Sequence, residues 1–193
     1  RLTDNVNMYI PEFAPWVDPI TGEKENIEIR DLLTHSSGLP PYLSVAHVAS
    51  LYGEPCPDST MMYIARDLPR RFRPKTDFTY SCLNFVTLQN ILERVTGERL
   101  CDYAERNVFA RLGMNHTCYN VAPTEVQEDG LPLLGVVHDP LARRLNGGNS
   151  GNAGVFSTAE DLSILAAALL SGGEILGRRV LGSETVKMMA MVP

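Results

Sequence analysis

The sequence predicts a mainly α-helical fold, the helical lobe of a larger protein. Three observations favour this fold: apolar residues recur at helical spacing in several segments, glycine or proline ends most of these segments, and only short stretches alternate as strands do. A complete enzyme core would contain more strand than this. We therefore expect residues 1–193 to form a single partial domain with a few short strands or hairpins.

The composition is that of an ordinary globular protein, with 44% hydrophobic and 21% charged residues. A formal net charge of −6 with scattered basic residues argues against a nucleic-acid partner. No apolar run reaches the roughly 18 residues that a membrane span needs. The cysteines are Cys56, Cys82, Cys101 and Cys118, and no C-x-x-C pair occurs among them. We interpret them as small buried hydrophobic residues and expect neither a metal site nor a cofactor.

The first third of the chain contains three candidate helices. Residues 2–13 are predicted to form a short helix, after which prolines and glycine keep the chain irregular as far as Ile27. A second short helix is predicted within residues 27–35. His35 is interpreted as a histidine whose hydrogen bonds tie the following turn together. A third helix is predicted from Asp58, with Met61 among its inward-facing residues.

The clearest helix follows the polar hexad Thr79-Tyr80-Ser81-Cys82-Leu83-Asn84. Apolar residues recur after the hexad at helical spacing and are predicted to face inward: Phe85, Leu88, Ile91, Leu92 and Val95. Gly97 is the predicted end of the helix. A start near Leu83 makes Ser81 or Cys82 the N-cap and leaves Tyr80 just outside the helix. Unpaired N–H groups and the helix dipole favour negative charge there, so this position could host a tyrosinate.

The second half of the chain alternates helices with loops. A helix is predicted from Arg99 to about Leu112, followed by an irregular segment over 121–134 and a short strand with a turn over 135–140. The glycine-rich loop 147–154 lacks the lysine of a P-loop and the spacing of a G-x-S-x-G nucleophile motif. A capping box over 157–160 is predicted to open a further helix with an inward-facing leucine stripe. A hairpin over 173–181 and a last helix capped by Ser183 complete the prediction.

Several motifs resemble a known family. Residues 27–40, which read I-E-I-R-D-L-L-T-H-S-S-G-L-P, closely resemble a stretch of serine β-lactamase-like proteins of the class C and penicillin-binding type, a group with related esterases. The segments L-T-D-N-V-N-M-Y-I-P-E-F, F-T-Y-S-C-L-N-F, V-H-D-P-L-A and G-N-A-G-V-F-S-T-A-E-D-L are also similar to the family and occur in its order. The resemblance implies the helical lobe of the β-lactamase/transpeptidase-like α+β fold.

The resemblance also implies where the chemistry would lie. In the family, the nucleophile is the serine of a Ser-x-x-K motif upstream of this region, and a Lys/His-x-Gly strand motif lies downstream; neither occurs in these 193 residues. We therefore expect an internal fragment that is inactive by itself. Tyr80 alone carries over as a catalytic residue, which in the family helps the motif lysine to take the serine proton. Without that cation, we expect Tyr80 to be an ordinary phenol.

Four residues are candidates for substrate binding: Tyr42, Ser81, Cys82 and His138. Tyr42 follows two prolines and is a candidate wall of the cleft. Cys82 stands where the family usually has an asparagine, whose amide can bond both the lysine and the acyl amide of the substrate. A thiol is too weak a donor and acceptor to do both, and Asn84 does not point the same way on a helix. This departure favours an esterase-like or peptidase-like relative over an efficient β-lactamase.

The resemblance implies a periplasmic or secreted serine hydrolase that acts through an acyl-enzyme. Its substrates would be β-lactams, D-alanyl peptides or small esters, and its partner a small molecule or a peptidoglycan peptide. One alternative is a non-catalytic protein of the same fold that binds or senses cell-wall peptides. A second alternative makes Cys82 the nucleophile, because a helix N-terminus lowers the pKa of a thiol.

Overall fold

A computed structural model describes residues 1–119 and 136–191 of the chain. In these stretches the α-helices are α1 (Ile29–Leu33), α2 (Val45–Tyr52), α3 (Pro57–Arg66), α4 (Cys82–Thr96), α5 (Leu100–Ala104), α6 (Ala110–Leu112), α7 (Ala159–Leu170) and α8 (Ser183–Ala190). The strands pair as three antiparallel two-stranded sheets: β1 (Trp16–Val17) with β2 (Lys24–Glu25), β3 (Cys118–Tyr119) with β4 (Val155–Phe156), and β5 (Glu174–Ile175) with β6 (Arg178–Arg179). The predicted mainly helical fold class is confirmed.

The N-terminal segment does not form the predicted helix over residues 2–13. Only a 3-10 turn, Val6–Met8, is helical, because the backbone of this segment bonds to a neighbouring segment: the Val6 N–H donates to the Ile27 carbonyl at 2.8 Å. Val6 and Ile10 are nevertheless fully buried. The expectation of irregular chain up to Ile27 is also wrong, since the turn that begins at Asp18 closes the β1–β2 hairpin.

Helix α4 forms as predicted, with Ser81 as its N-cap and Gly97, in the left-handed region at φ 72°, as its C-cap. Its buried face differs from the predicted stripe. Leu83, Val86 and Ile91 are buried together with polar residues, whereas Val95 is exposed. The helix packs against α1, α3 and α5 and thus connects the parts of the chain that surround the hexad.

A large core holds the N-terminal half together. It includes Ile10, Leu32, Met61, Ile64 and Leu83, with Leu145 from the second half. The Arg70 side chain is mostly buried beside this core and donates to the carbonyls of Ala14, Ile64, Ala65 and Leu68 at 2.8–3.1 Å. Burial lowers the pKa of Arg70 to about 10, so its guanidinium stays charged at neutral pH. A second, smaller core contains Phe109, Leu112, Met114 and Ala168.

The second half also differs from prediction at several element boundaries. The helix predicted over 99–112 forms as α5, a π-helical segment Glu105–Phe109 and α6, and the hairpin predicted over 173–181 forms as β5–β6. No strand occurs over 136–139, which bend instead into a π-helical segment, Leu141–Leu145. Residues 121–134 and Gly135 lie outside the described residues.

Where a predicted α-helix formed, its start was predicted to within one or two residues. Cys56 is the N-cap of α3, because Pro57 fits the first turn, where its missing N–H costs no hydrogen bond. The N-cap of α7 is Thr158 with Asp161 rather than Ser157 with Glu160, and that of α8 is Gly182 rather than Ser183. Helix α2 was not predicted.

Candidate active site

The hexad is held at the start of α4 by the segment that follows α1. The Ser81 hydroxyl accepts the Leu83 N–H at 3.2 Å and donates to the Pro40 carbonyl at 2.6 Å. The Cys82 N–H donates to the Pro41 carbonyl at 2.9 Å. Pro40, the last residue of the 27–40 motif that suggested the family, and the adjacent Pro41 therefore fix the backbone that carries Tyr80.

His35 is the centre of a buried hydrogen-bond network behind the hexad. Its Nδ1 accepts the Ser81 N–H at 3.1 Å and lies 2.9 Å from Asn84 Nδ2. The Ser37 hydroxyl donates to Asn84 Oδ1 at 2.6 Å, so the fully buried Asn84 amide is bonded at both ends. Because a backbone N–H can only donate, Nδ1 carries no proton in this arrangement. His35 thus forms hydrogen bonds as predicted, but the partners of its side chain lie at the start of α4 and not in the turn that follows His35.

Tyr80 lies outside α4 with 59% of its surface exposed. Its ring lies over His35, with the ring centroids 4.6 Å apart. The neighbouring Cys82 thiol, then partial burial, then the Asp139 carboxylate raise the pKa of the Tyr80 phenol. A raised pKa favours a neutral phenol over the tyrosinate that the helix N-terminus could host.

Asp139 is a residue of this region that the sequence reasoning missed. Its Oδ1 accepts the Ala142 N–H at 2.8 Å and lies 3.1 Å from Asn152 Nδ2. Asn152 Oδ1 in turn accepts the Ser150 hydroxyl at 2.6 Å. The glycine-rich loop is thereby tied to the acid whose charge acts on Tyr80. The Asp-Pro pair before a helical turn was the available signal, because aspartate often caps such a turn.

The four predicted substrate-binding residues differ in how accessible their side chains are to a substrate. Tyr42, next to Pro41, is 74% exposed, Cys82 is half-buried, and His138 is exposed beside Asp139. Ser81 is fully buried, and its hydroxyl already has a donor and an acceptor partner. Tyr42, Ser81 and Cys82 are thus brought to the same end of α4 as Tyr80. Their contacts with a substrate remain predictions, and any effect of Ser81 would come from positioning Tyr80.

The described residues contain no group of three or more His, Cys, Asp or Glu side chains arranged to hold a metal ion. Within the same two stretches, no helix is both long and apolar enough to cross a membrane. All four cysteines are free; Cys56 is buried and the other three are half-buried.

Comparison with known proteins identifies the family. The model of the Beta-lactamase family matches residues 1–192. The chain belongs to the Beta-lactamase family. It is 33% identical over 96% of its length to an Escherichia coli K12 protein named "Putative D-alanyl-D-alanine carboxypeptidase", and it covers 48% of that protein. It is also 31% identical over 88% of its length to "N-acetylmuramyl-L-alanine amidase" of Bacillus subtilis strain 168, of which it covers 44%.

A solved structure shares the fold of this family member. The octameric penicillin-binding protein homologue from Pyrococcus abyssi superposes with a TM-score of 0.69 at 20% identity, over 97% of this chain and 42% of the homologue. The likeness is therefore one of fold. The chain spans about half the length of the curated relatives it matches.

Proposed function

We propose that the protein containing this chain is a serine hydrolase that forms an acyl-enzyme with D-alanyl peptides, β-lactams or small esters. The observation that carries the proposal is the placement of Tyr80, an exposed phenol presented just before α4 in a member of the Beta-lactamase family. The names of two relatives, a carboxypeptidase and an amidase, support amide bonds of cell-wall peptides as substrates. Such a role implies a periplasmic or extracellular location.

In this proposal, Tyr80 moves a proton between the serine nucleophile and the leaving group. A phenol with a raised pKa is a weak base at neutral pH, so a cation close to its oxygen has to lower the pKa. The family resemblance assigns that cation to the lysine of a Ser-x-x-K motif, which this chain lacks. The role of this chain is then to hold Tyr80 rigidly through the contacts of Ser81 and Cys82.

The test uses the full-length protein with fluorescent penicillin and p-nitrophenyl esters. We expect a covalent penicillin adduct and ester turnover, and Tyr80→Phe should lower turnover by about 100-fold or more, as loss of a general acid-base group does. Tyr42→Phe is the matched control, since it removes an exposed hydroxyl from the neighbouring loop and should retain most of the activity. Near-wild-type turnover by Tyr80→Phe would return Tyr80 to a packing role.

The same assays separate the alternatives. Absence of both adduct and turnover would support a non-catalytic protein that binds cell-wall peptides. Loss of the adduct in Cys82→Ala would support the Cys82 nucleophile, whereas retention would exclude it. The 193-residue chain alone should be inert in both assays, because it lacks the proposed nucleophile.

A further inference from the structure

We propose that a cleft behind the glycine-rich loop is a second binding site, which takes a small zwitterionic ligand such as an amino acid or a dipeptide. The cleft has a volume of about 430 Å³ and lies between α3, α4, the start of α5 and the loop at Asn146–Asn149. Its size falls within the roughly 300–1,000 Å³ of small-molecule sites. None of its lining residues belongs to the hexad, so the inference is independent of the proposed hydrolase.

The floor of the cleft combines apolar surface with buried amides. Met61 and Val86 supply the apolar part. Gln89, Asn146 and Asn149 also line the cleft and are only 8%, 6% and 8% exposed, respectively. Asn146 Nδ2 donates to Ser150 at 2.8 Å, while its Oδ1 accepts no hydrogen bond from the described residues. A buried amide oxygen left open in this way can accept a hydrogen bond from a ligand.

The amides are fixed in place by bonds to α4 and α5. Asn149 Nδ2 donates to Glu93 Oε1 at 2.8 Å, and Asn149 Oδ1 accepts the Cys101 N–H at 2.9 Å. Gln89 Oε1 accepts the Gly151 N–H at 2.9 Å, and Gln89 Nε2 donates to the Asn149 carbonyl at 2.8 Å. The floor is therefore preorganised, so that its side chains lose little conformational entropy when a ligand binds.

The rim of the cleft carries charges of both signs. Arg99 lines it from the start of α5, and in the described parts of the chain its guanidinium donates no hydrogen bond and forms no ion pair. Asp58 and Glu93 bring carboxylates to the same rim. Glu93 Oε1 already accepts three N–H groups, from Gln89, Asn149 and Leu100, and Oε2 accepts none from the described residues.

These charges select the ligand class. A guanidinium without a partner binds a carboxylate through paired charge-assisted hydrogen bonds, and the carboxylates of Asp58 and Glu93 suit an ammonium group. An amino acid or a short peptide carries both groups on one small molecule. The apolar patch of Met61 and Val86 leaves room for a small aliphatic side chain between them. A purely anionic or purely cationic ligand would leave one set of rim charges without a partner.

The experiment titrates L-alanyl-L-alanine into the full-length protein and follows the side-chain amide NMR signals of Gln89, Asn146 and Asn149. The L,L-dipeptide is chosen because a D-alanyl peptide could also occupy the proposed hydrolase site. We expect saturable shifts of these signals. Arg99→Gln should weaken the affinity about tenfold or more, the usual effect of losing a charge-assisted hydrogen bond. Arg66→Gln is the matched control, an exposed arginine of α3 that does not line the cleft.

Two ligand analogues test the charges separately. The C-terminal amide removes the carboxylate and should bind about tenfold more weakly, as should the N-acetyl derivative, which removes the ammonium. The proposal is overturned if the wild-type signals do not shift, if Arg99→Gln binds as well as the wild type, or if either analogue binds as well as the free dipeptide. Each of these results leaves the penicillin and ester assays unaffected, so the two proposals fail separately.

Discussion

Two donors share the single acceptor of His35, the Ser81 N–H at 3.1 Å and Asn84 Nδ2 at 2.9 Å. Protonation of Nδ1 would replace this acceptor with a third donor in the same space. Burial also lowers the pKa of His35, which favours the neutral ring. The positive φ of 58° at His35 limits the residues that can replace it, because asparagine tolerates this backbone region and most other residues do not.

His35 should therefore make the stability of the protein depend on acid pH. Because its folded pKa lies below the unfolded value of about 6.5, its contribution is complete above that pH and is lost as the pH falls through the folded pKa. His35→Ala should cost about 1–3 kcal/mol at pH 8, because it leaves the buried Asn84 amide without an acceptor. His35→Asn keeps an acceptor that does not titrate and should lose less stability between pH 8 and pH 5 than the wild type.

Urea unfolding at pH 5 and pH 8 measures both effects. His47→Asn is the matched control, because His47 is exposed on α2 and its side chain accepts no hydrogen bond from the described residues. It should unfold with the same pH dependence as the wild type. An identical pH dependence of the wild type and His35→Asn would show that His35 does not titrate in this window.

At the scale of elements, the N-cap residue of α4 forms a tertiary hydrogen bond in addition to the usual capping bond. Ser81 accepts from Leu83 as a cap does, and it also donates to Pro40, so one hydroxyl joins the helix to the segment after α1. Ser44 caps α2 at an exposed position, and among the described residues its hydroxyl has only the His47 N–H as a partner. A comparison of variants at the two serines therefore separates the contribution of the cap from that of the tertiary contact.

We expect Ser81→Ala to lower the free energy of unfolding by about 2–3 kcal/mol, the sum of a lost cap and an unsatisfied, half-buried carbonyl. Ser44→Ala should cost about 0.5–1 kcal/mol, because water can replace its hydroxyl. Urea unfolding of both variants at one pH compares them directly. Equal losses would mean that the bond to Pro40 contributes no stability.

Elements that are specified locally were predictable from the sequence. The Ser81 cap and Gly97 end gave the bounds of α4, and the resemblance of residues 27–40 indicated the family that the comparison identified. The buried face of α4 was not predictable, because Asn84 and Gln89 are buried by partners 47 to 62 residues away. The buried face of α7 was also predicted wrongly, since Leu162 and Leu170 of its predicted stripe are exposed. A local pattern does not show which polar residues have distant partners.

The same limit applied to the candidate site. Tyr80 and the position of Cys82 were found from a motif, whereas Asp139 acts on Tyr80 only because the fold brings the two residues near each other. The network from Asp139 through Asn152 to Ser150 depends on how the glycine-rich loop returns to the hexad. Alternation and spacing carry no information about such a return, because it is set by contacts between segments far apart in the chain.

At the scale of the whole molecule, the glycine-rich loop joins the two halves of the chain. Gly151 approaches α4 so closely that an added Cβ would overlap the Phe85 carbonyl oxygen and lie 3.1 Å from Gln89 Cβ. Asn149 connects the loop to Glu93 of α4 and to Cys101 of α5. The position of the loop therefore fixes both the cleft on one side and Asn152 with Asp139 on the other.

Gly151→Ala should undock this loop from α4. The added methyl group meets a helix backbone, which yields less readily than a side chain, so we expect a loss of about 1–3 kcal/mol in the free energy of unfolding, as for other overpacked sites. Gly182→Ala is the matched control: its φ of −64° suits any residue, and its added Cβ would be 3.3 Å from a hydroxyl of Thr185. It should cost less than about 1 kcal/mol, the effect of a weaker cap.

Urea unfolding compares Gly151→Ala with Gly182→Ala. Hydrogen exchange at the Gly151 N–H, which donates to Gln89 in the docked loop, reports the undocking directly. Wild-type protection of that N–H in Gly151→Ala would show that the loop stays docked on α4 despite the added methyl group, which would contradict the prediction.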